Sequence, residues 1–208
     1  MTEHTANCRN TTHDWARGLD AGHIERVRRE PVLYAPGGAL HLVLEVLAYA
    51  ADEAEATGSG RAVVTMHDDG SVSIADDGRG TDTRVDDLGR TVRKPVMTTK
   101  DLRFFDSPQA AALPDEHPRR GISVVTALSE WLVHINRRRD GAWTQRYEHG
   151  LPVASLTPIP GDGTTGTTVR FLPEAALVGC AQVPLPELRQ LTKGFGPPLA
   201  IEIRDEPG

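Results

Sequence analysis

Two alternating runs with a short turn between them constrain the fold of this chain most strongly. The segments "RAVVTMH" and "SVSIADD" each alternate apolar and polar residues, and Asp68-Asp69-Gly70 lies between them. Alternation predicts strands with one buried face, and an Asp-Gly connection predicts a tight antiparallel hairpin. The second strand then ends at Asp76 and Asp77, which a Gly-Arg-Gly sequence follows. The sequence therefore places two carboxylates at the end of a core strand.

Helical patterns and further strands flank this hairpin. In "ALHLVLEVLAYAADEAEATG" the apolar residues recur on one side of a helix, with Gly58 placed as a C-cap. The other side is predicted to carry Glu45, Tyr49 and Asp52. The remaining predicted elements are a helix in "GLDAGHIERVRREP" stopped by Pro31, a helix in "ISVVTALSEW", a hairpin from "WLVHINRRR" and "AWTQRYEH", strands "GTTVRFLP" and "LAIEIRDE", and a helix over 184–193. This mixture predicts an α+β fold with helices on one face of a largely antiparallel sheet.

The length of 208 residues fits one domain with a substantial core. Residues 1–17 lack periodicity and are predicted to form a loose N-terminal arm before a single domain over 18–208. Between about 81 and 120 the pattern dissolves into a charged, proline-punctuated run that is too long for an ordinary connector. We therefore expect a mobile flap there.

Charge and composition exclude several classes of partner. A net charge of -6 with 5% aromatic residues gives no basic footprint for direct DNA or anionic-membrane binding. No apolar stretch approaches the ~20 residues that a membrane span requires, and the polar start has no signal-peptide pattern. Cys8 and Cys180 lack metal-ligand spacing and are expected to be free thiols. These features predict a cytoplasmic protein.

Four separated stretches resemble the ATPase domain of bacterial type II topoisomerases, that is, of the DNA gyrase B subunit and its topoisomerase IV counterpart. They are "HIERVRREPVLY", "LHLVLEVLAYAADEA", "VTMHDDGSVSIADDGRG" and "RGISVVTALSEWLVHINRRRDGAWTQRYEHGLPV...GTTGTTVRF", in that order. The resemblance runs over about 22–205, apart from the flap. It implies the GHKL (Bergerat) fold, a two-layer α/β sandwich that holds a nucleotide between helices and a mixed sheet.

The resemblance assigns an adenine-binding role to the end of the second strand. Asp76 matches the carboxylate that accepts a hydrogen bond from the adenine amino group, and Thr167 matches a residue of the same network. Gly78 and Gly80 are expected to let the backbone approach the base because they have no Cβ. The alternative for such a string is a hairpin end capped by Asp and Gly.

Two further carboxylates receive roles from the same resemblance. Arg79 matches an arginine that pairs with a helix carboxylate, here Glu53, although an exposed ion pair without function is the alternative. Glu45 matches the general base that deprotonates the attacking water. A solvated glutamate on a polar helix face remains the other reading of Glu45.

Phosphate handling departs from the family pattern. Tyr49 stands where the family has a magnesium-binding Asn, and a phenol is a poor ligand for a hard cation. The sequence therefore predicts no metal held in the family manner, and the ring could fill the space of the α-phosphate. In "EHPRRG" only Gly121 remains of a glycine-rich lid. Arg119 and Arg120 are interpreted as exposed, with a side-chain grip on phosphate as the alternative.

Two more departures concern the pocket rim and the end of the chain. Thr144 replaces an arginine at the mouth of the family's adenine pocket. The sequence ends at "LAIEIRDEPG", where the family continues into a transducer domain, so none is expected.

The sequence thus predicts an adenine-nucleotide (ATP or ADP) binding protein with impaired or absent hydrolysis, because missing metal and anion donors forfeit most transition-state stabilisation. One alternative is a repurposed GHKL pocket that binds or transforms another small molecule in specialised metabolism or antibiotic resistance. A second is a regulator that docks on a protein partner through the flap. A third is a genuine ATP hydrolase in which Glu45 is intact and Arg119 and Arg120 replace the lid.

Overall fold

A computed structural model gives the fold and describes residues 12–13, 18–86, 88–89, 91–105, 111–180 and 182–205. The helices are α1 (Ala21–Arg29), α2 (Pro31–Tyr34), α3 (Gly38–Thr57), α4 (Ile122–Ala127), α5 (Ala175–Val178) and α6 (Leu185–Leu191), which a 3-10 turn, Thr192–Phe195, follows. The strands are β1 (Gly60–Met66), β2 (Val72–Asp76), β3 (Thr83–Val85), β4 (Thr91–Arg93), β5 (Ser129–Arg138), β6 (Gly141–Glu148), β7 (Leu151–Pro152), β8 (Thr157–Ile159), β9 (Gly166–Pro173) and β10 (Leu199–Asp205).

The main sheet has the order β10-β1-β2-β9-β5-β6-β7, and β8 also pairs with β6. The β1–β10 pair is parallel, and the other pairs of this sheet are antiparallel. β3 and β4 form a separate two-stranded ribbon. The predicted mixed, largely antiparallel sheet is confirmed. Because β9 lies beside β2, the two strand ends that carry Thr167 and Asp76 come together.

The core lies between this sheet and the helices. Side chains of α3 such as Leu42, Val43 and Leu47 are fully buried, and so are Val64 on β1 and Phe171 on β9. Burying apolar side chains of this size contributes about 1.5–3 kcal/mol each. Gly58 ends α3 as predicted, with its backbone in the left-handed conformation, and the chain then enters β1. The predicted layer of helices on the sheet is confirmed.

Two details of the predicted elements were wrong: the boundary between α4 and β5, and the side of α3 expected to be polar. The helix after Gly121 ends at Ala127, and Ser129 already pairs with Pro173 on β9, so "SEW" belongs to β5. Short apolar runs of this kind fit a buried helix or a buried strand equally well, and pairing with β9 decides between them. The predicted polar side of α3 is also partly wrong, because Glu45 is completely buried.

The 81–120 segment contributes to the core. Met97, Asp101 and Phe104 are buried, and Val96 and Met97 join the main apolar cluster. The segment is therefore packed against α3 over its described central part, Pro95 to Phe105, which the proline-rich pattern did not indicate.

The N-terminal arm falls largely outside the described residues. Within it, His13 is buried and its Nε2 lies 4.0 Å from a carboxylate oxygen of Asp101. Cys8 also lies outside the described residues, whereas Cys180 is exposed as a free thiol. Among the helices of the described residues, none combines the length and apolar character that a bilayer crossing needs.

Candidate functional site

A cleft of about 350 Å³ lies between α3, the adjoining ends of β2 and β9, and the 94–103 part of the flap. Its apolar wall includes Val46, Met97, Ile122 and Val169. Its polar lining consists of Thr12, Tyr49, Asp52, Glu53, Asp76, Arg79, Thr81, Asp82, Lys94, Arg103, His134, Arg138 and Thr167. An apolar slot with polar groups at its end suits a flat ligand with a polar edge.

Asp76 lies at the end of β2 and lines this cleft. Its Oδ2 accepts a hydrogen bond from the Thr167 hydroxyl, and its Oδ1 accepts one from the Gly78 backbone N–H at 2.9 Å. Burial raises the pKa of Asp76 above its ordinary value, and the two hydrogen bonds oppose that rise. The carboxylate is thus held in one orientation with acceptor capacity remaining at the cleft.

The Gly-Arg-Gly loop packs tightly against protein atoms. A Cβ on Gly78 would lie 2.5 Å from Cγ of Glu53, and a Cβ on Gly80 would lie 2.5 Å from the carbonyl oxygen of Arg137. The glycines therefore make room for Glu53 and β5, and Gly80 also lines the cleft. The approach of a ligand base to this loop stays a prediction. Asn136 fixes the same loop, because its side chain accepts from the Thr81 N–H at 2.8 Å and donates to the Thr81 carbonyl at 2.9 Å.

The predicted ion pair between Arg79 and Glu53 is present. Nε of Arg79 donates to Oε1 of Glu53 at 2.7 Å, and a second guanidinium nitrogen donates to Oε2 at 3.0 Å. The Arg79 backbone N–H also donates to Oε1 at 2.9 Å. These bonds lower the pKa of Glu53 and attach the loop to α3.

Glu45 lies on α3 behind the cleft and is completely buried. Its two oxygens accept the backbone N–H groups of Arg120 and Gly121, the latter at 2.9 Å. These donors stand at the start of α4, where backbone N–H groups lack helical partners. Glu45 is not among the described residues that line the cleft. The carboxylate thus binds the start of α4 in this structure.

His41 lies one turn before Glu45 and is also completely buried. Its Nδ1 lies 2.7 Å from Oδ2 of Asp115 in the flap, and its Nε2 lies 3.5 Å from Oε1 of Glu45. Burial alone would lower the pKa of His41, but the hydrogen bond to Asp115 and the nearby Glu45 raise it to about 9. An imidazolium between two carboxylates therefore connects the flap to α3.

Tyr49 points its hydroxyl into the flap. That hydroxyl donates to Oδ2 of Asp101 at 2.9 Å, and it lies 3.5 Å from the backbone nitrogen of Ile122. Burial raises the pKa of Tyr49 well above its ordinary value, and the Asp101 charge adds to the rise. The phenol therefore stays protonated.

Arg119 is buried, so its interpretation as an exposed arginine was wrong. Its guanidinium donates to both oxygens of Asp52 at 2.8 and 2.9 Å. The guanidinium also lies over two aromatic rings, 4.7 Å from the Tyr49 centroid and 4.3 Å from the Phe104 centroid. Arg120 is only partly buried, and its backbone contributes the bond to Glu45.

No established protein-family profile matches the chain. Curated relatives do: the DNA gyrase B subunit of Archaeoglobus fulgidus is 36% identical over 163 residues, which make up 73% of this chain and 25% of the relative. The DNA topoisomerase 4 B subunit of Bacillus subtilis is 33% identical over 160 residues, 74% of this chain and 24% of the relative. This chain resembles the GHKL-type ATPase domain of gyrase B and topoisomerase IV.

A solved structure agrees with this resemblance at the level of the fold. The topoisomerase IV ATP-binding domain of Francisella tularensis, solved with a small-molecule inhibitor, superimposes with a TM-score of 0.71 at 24% identity. The match covers 88% of this chain and 50% of that chain. The gyrase B-like chain spans about a quarter of the length of the curated relatives it matches.

The structure brings six of the predicted site residues of this gyrase B-like domain to one cleft: Tyr49, Glu53, Asp76, Arg79, Gly80 and Thr167. Five others do not line it: Glu45, Gly78, Arg119, Arg120 and Gly121. Thr144, which the resemblance places at the pocket mouth, pairs with Ile135 on β5 and Thr157 on β8 and does not line the cleft either. Sequence reasoning missed Asn136 and His134, whose alternation within β5 was read only as a strand pattern. Within the described residues, no group of three or more His, Cys, Asp or Glu side chains could hold a metal ion.

Proposed function

We propose that the cleft binds an adenine-containing ligand through Asp76 and supports little or no ATP hydrolysis. The observation that carries the proposal is the partly buried Asp76 carboxylate, held by Thr167 and Gly78 at the polar end of the cleft. It stands in a chain related to gyrase B proteins, and the related topoisomerase IV structure is an ATP-binding domain.

The chemistry of Asp76 suits the edge of a purine. A carboxylate accepts hydrogen bonds on both oxygens, and an exocyclic amino group donates two. Since the acceptor is partly buried and faces the cleft, a ligand that matches it gains a charge-assisted bond, and a ligand without a donor displaces water from the acceptor without replacing its hydrogen bond. The apolar wall formed by Val46, Ile122 and Val169 offers contact to a flat ring.

The position of Glu45 favours the proposal that ATP hydrolysis is weak or absent. A general base must come within about 3 Å of the proton it removes. Glu45 is buried behind the cleft lining, and both of its oxygens accept backbone N–H groups of Arg120 and Gly121. To act on a cleft water it would have to leave these donors.

The residues present do not fit a Mg²⁺ ion in the manner that the family resemblance implies. Tyr49 stands at the position of the family's magnesium-binding Asn. Its hydroxyl donates to Asp101, and burial raises its pKa. A hard cation prefers carboxylate, amide or water oxygens, and a protonated phenol is a poor substitute. We therefore propose that ligand binding is independent of Mg²⁺.

Isothermal titration with ADP and ATP, with and without Mg²⁺, tests the proposal. Asp76→Asn should weaken binding at least tenfold, because the amide places a donor against the ligand's donor. Asp69→Asn, a carboxylate in the β1–β2 turn at the opposite end of β2, is the matched control and should bind as the wild type does. Wild-type affinity in Asp76→Asn would show that the adenine assignment is wrong. Phosphate release that Glu45→Ala abolishes would show that the chain is an ATP hydrolase.

The contacts around Tyr49 favour a second candidate function, the binding of a small molecule that contains no adenine. Tyr49 lines the cleft, its hydroxyl donates to Asp101, and Arg119 lies over its ring. A side chain of this size and contacts in place of a metal ligand suits a scaffold that has come to bind another small molecule. Native mass spectrometry of the purified chain would detect a retained ligand that contains no adenine.

A further inference from the structure

A cluster of two arginines and two aspartates joins α3 to the flap beside the cleft. We name Asp52, Asp101, Arg103 and Arg119 the arginine latch. Arg119 donates to both oxygens of Asp52, and Arg103 donates to Asp52 at 3.1 Å and to Asp101 at 2.7 Å. The cations and the carboxylates of the latch are therefore matched in number and bonded to each other.

Aromatic rings hold the latch in place. Arg119 lies over Tyr49 and Phe104, and Arg103 lies 4.7 Å from the Phe104 centroid. The Arg119 side chain is only 7% exposed, and Asp101 is fully buried. Burial would raise the pKa of Asp101, but the bonds and charge of Arg103 bring it below its ordinary value. Displacing Arg103 would leave the fully buried Asp101 without its cation, which is costly, whereas Asp52 is 37% exposed.

The backbone donors beside the latch are also occupied. The N–H groups of Arg120 and Gly121 donate to Glu45, and the Ile122 nitrogen faces the Tyr49 hydroxyl. Backbone N–H groups and arginine side chains are the donors with which proteins hold phosphate chains. At this end of the cleft these backbone N–H groups and the terminal guanidinium nitrogens of Arg103 and Arg119 already have carboxylate or hydroxyl partners. The Nε atoms of Arg119 and Arg120 have no partner, but both are buried.

We infer that the arginine latch makes the cleft favour adenine ligands without a polyphosphate chain, such as a nucleoside or a nucleoside monophosphate, over ADP and ATP. A triphosphate that used these guanidiniums would have to displace Asp52 and Asp101 from them. A single phosphate meets a different cation, because Lys94 lines the same cleft and donates to the Thr12 hydroxyl. This inference rests on the proposed adenine function and adds the ligand class to it.

A ligand series on the full chain tests the inference. Calorimetric titration with adenosine, AMP, ADP and ATP without Mg²⁺ should give adenosine and AMP affinities at least equal to that of ATP. An ATP affinity tenfold or more above that of adenosine overturns the inference and leaves the proposed function standing. If none of the four ligands binds, the proposed function fails. The wild-type series gives this result whether or not any variant folds.

Asp52→Asn tests the latch itself. The amide weakens the hold on Arg119 and Arg103, so their guanidiniums become available to phosphate. The ratio of ATP affinity to adenosine affinity should rise about tenfold. Asp69→Asn removes one carboxylate from an exposed pair with Arg170 and is the control whose ratio should stay at the wild-type value. An unchanged ratio in a folded Asp52→Asn protein, verified by its thermal unfolding, overturns the role of the latch.

Discussion

At the scale of the residue, Gly80 determines the shape of the loop that follows Asp76. Its φ of +79° lies in the left-handed region, and a Cβ there would come within 2.5 Å of the Arg137 carbonyl oxygen and 2.7 Å of Oδ1 of Asn136. The same Asn136 holds Thr81 through both of its amide atoms. A side chain at position 80 would therefore disturb the contact between the loop and β5.

Gly80→Ala should lower the free energy of unfolding by about 3 kcal/mol, since left-handed backbone costs roughly 1–2 kcal/mol and the clash with β5 adds to it. Gly163→Ala is the matched control, because Gly163 has a similar φ of +81° and open space around its Cβ position. The control should lose only about 1 kcal/mol. Equal losses in urea denaturation of the two variants would show that the contact with β5 contributes nothing.

Residue patterns predicted the polar end of the site better than its interior. Asp76 follows an alternating strand, and resemblance added Thr167 and the Arg79–Glu53 pair, which the structure places as expected. Burial depends on what covers a residue from elsewhere in the chain. The solvated alternative for Glu45 and the interpretation of Arg119 as exposed were therefore wrong, since the covering flap has no periodicity from which its packing could be inferred.

At the scale of the element, Glu45 couples α3 to the start of α4. α4 has six residues, and no side chain caps its first turn from Gly121. Glu45 supplies the missing acceptors from another helix, and a negative charge there also suits the helix dipole. The orientation of α4 against α3 thus depends on one buried carboxylate.

Glu45→Gln should lower the free energy of unfolding by about 2–3 kcal/mol. The amide keeps the shape of the side chain but offers a single acceptor, so one of the Arg120 and Gly121 N–H groups faces another donor. Glu55→Gln, on the exposed side of the same helix, should change stability by less than about 0.5 kcal/mol. A Glu45→Gln variant as stable as the Glu55→Gln control would contradict this coupling.

The predicted hairpins were correct because their signals are local. The Asp-Gly turns and alternating runs fix β1–β2 and β5–β6 without reference to the rest of the chain. The boundary between α4 and β5 was misplaced because it depends on the pairing of Ser129 with β9, about forty residues later in the chain.

At the scale of the whole molecule, two buried histidines on different helices give stability a dependence on pH. His41 has a pKa raised to about 9 by Asp115 and Glu45 against the effect of burial. His23 on α1 has a pKa lowered to about 4, chiefly by burial, and its Nε2 lies 2.9 Å from the Ser123 hydroxyl on α4. The two residues respond to pH in opposite directions.

The free energy of unfolding should therefore be highest near pH 6.5, the ordinary value for both residues. The folded state binds the His41 proton more tightly than the unfolded state, so its contribution is complete below pH 6.5 and is lost as the pH rises to about 9. The folded state disfavours the His23 proton, so its contribution is complete above pH 6.5 and is lost as the pH falls to about 4. Burial also lowers the pKa of His13 to about 4, so His13 adds to the acid limb in the same direction as His23. Each histidine contributes roughly 3 kcal/mol at most.

Urea denaturation at pH 5, 6.5 and 9 measures both limbs. His41→Gln should flatten the alkaline limb and leave the acid limb, because glutamine carries no proton to lose between Asp115 and Glu45. His23→Gln should leave the alkaline limb unchanged and reduce the acid limb to the part that His13 contributes. His67→Gln, in the β1–β2 turn, is the control and should keep both limbs. An alkaline limb of wild-type slope in His41→Gln would show that the carboxylates do not hold a proton on His41, and the link between flap and α3 would then rest on the arginine latch and the Tyr49–Asp101 hydrogen bond.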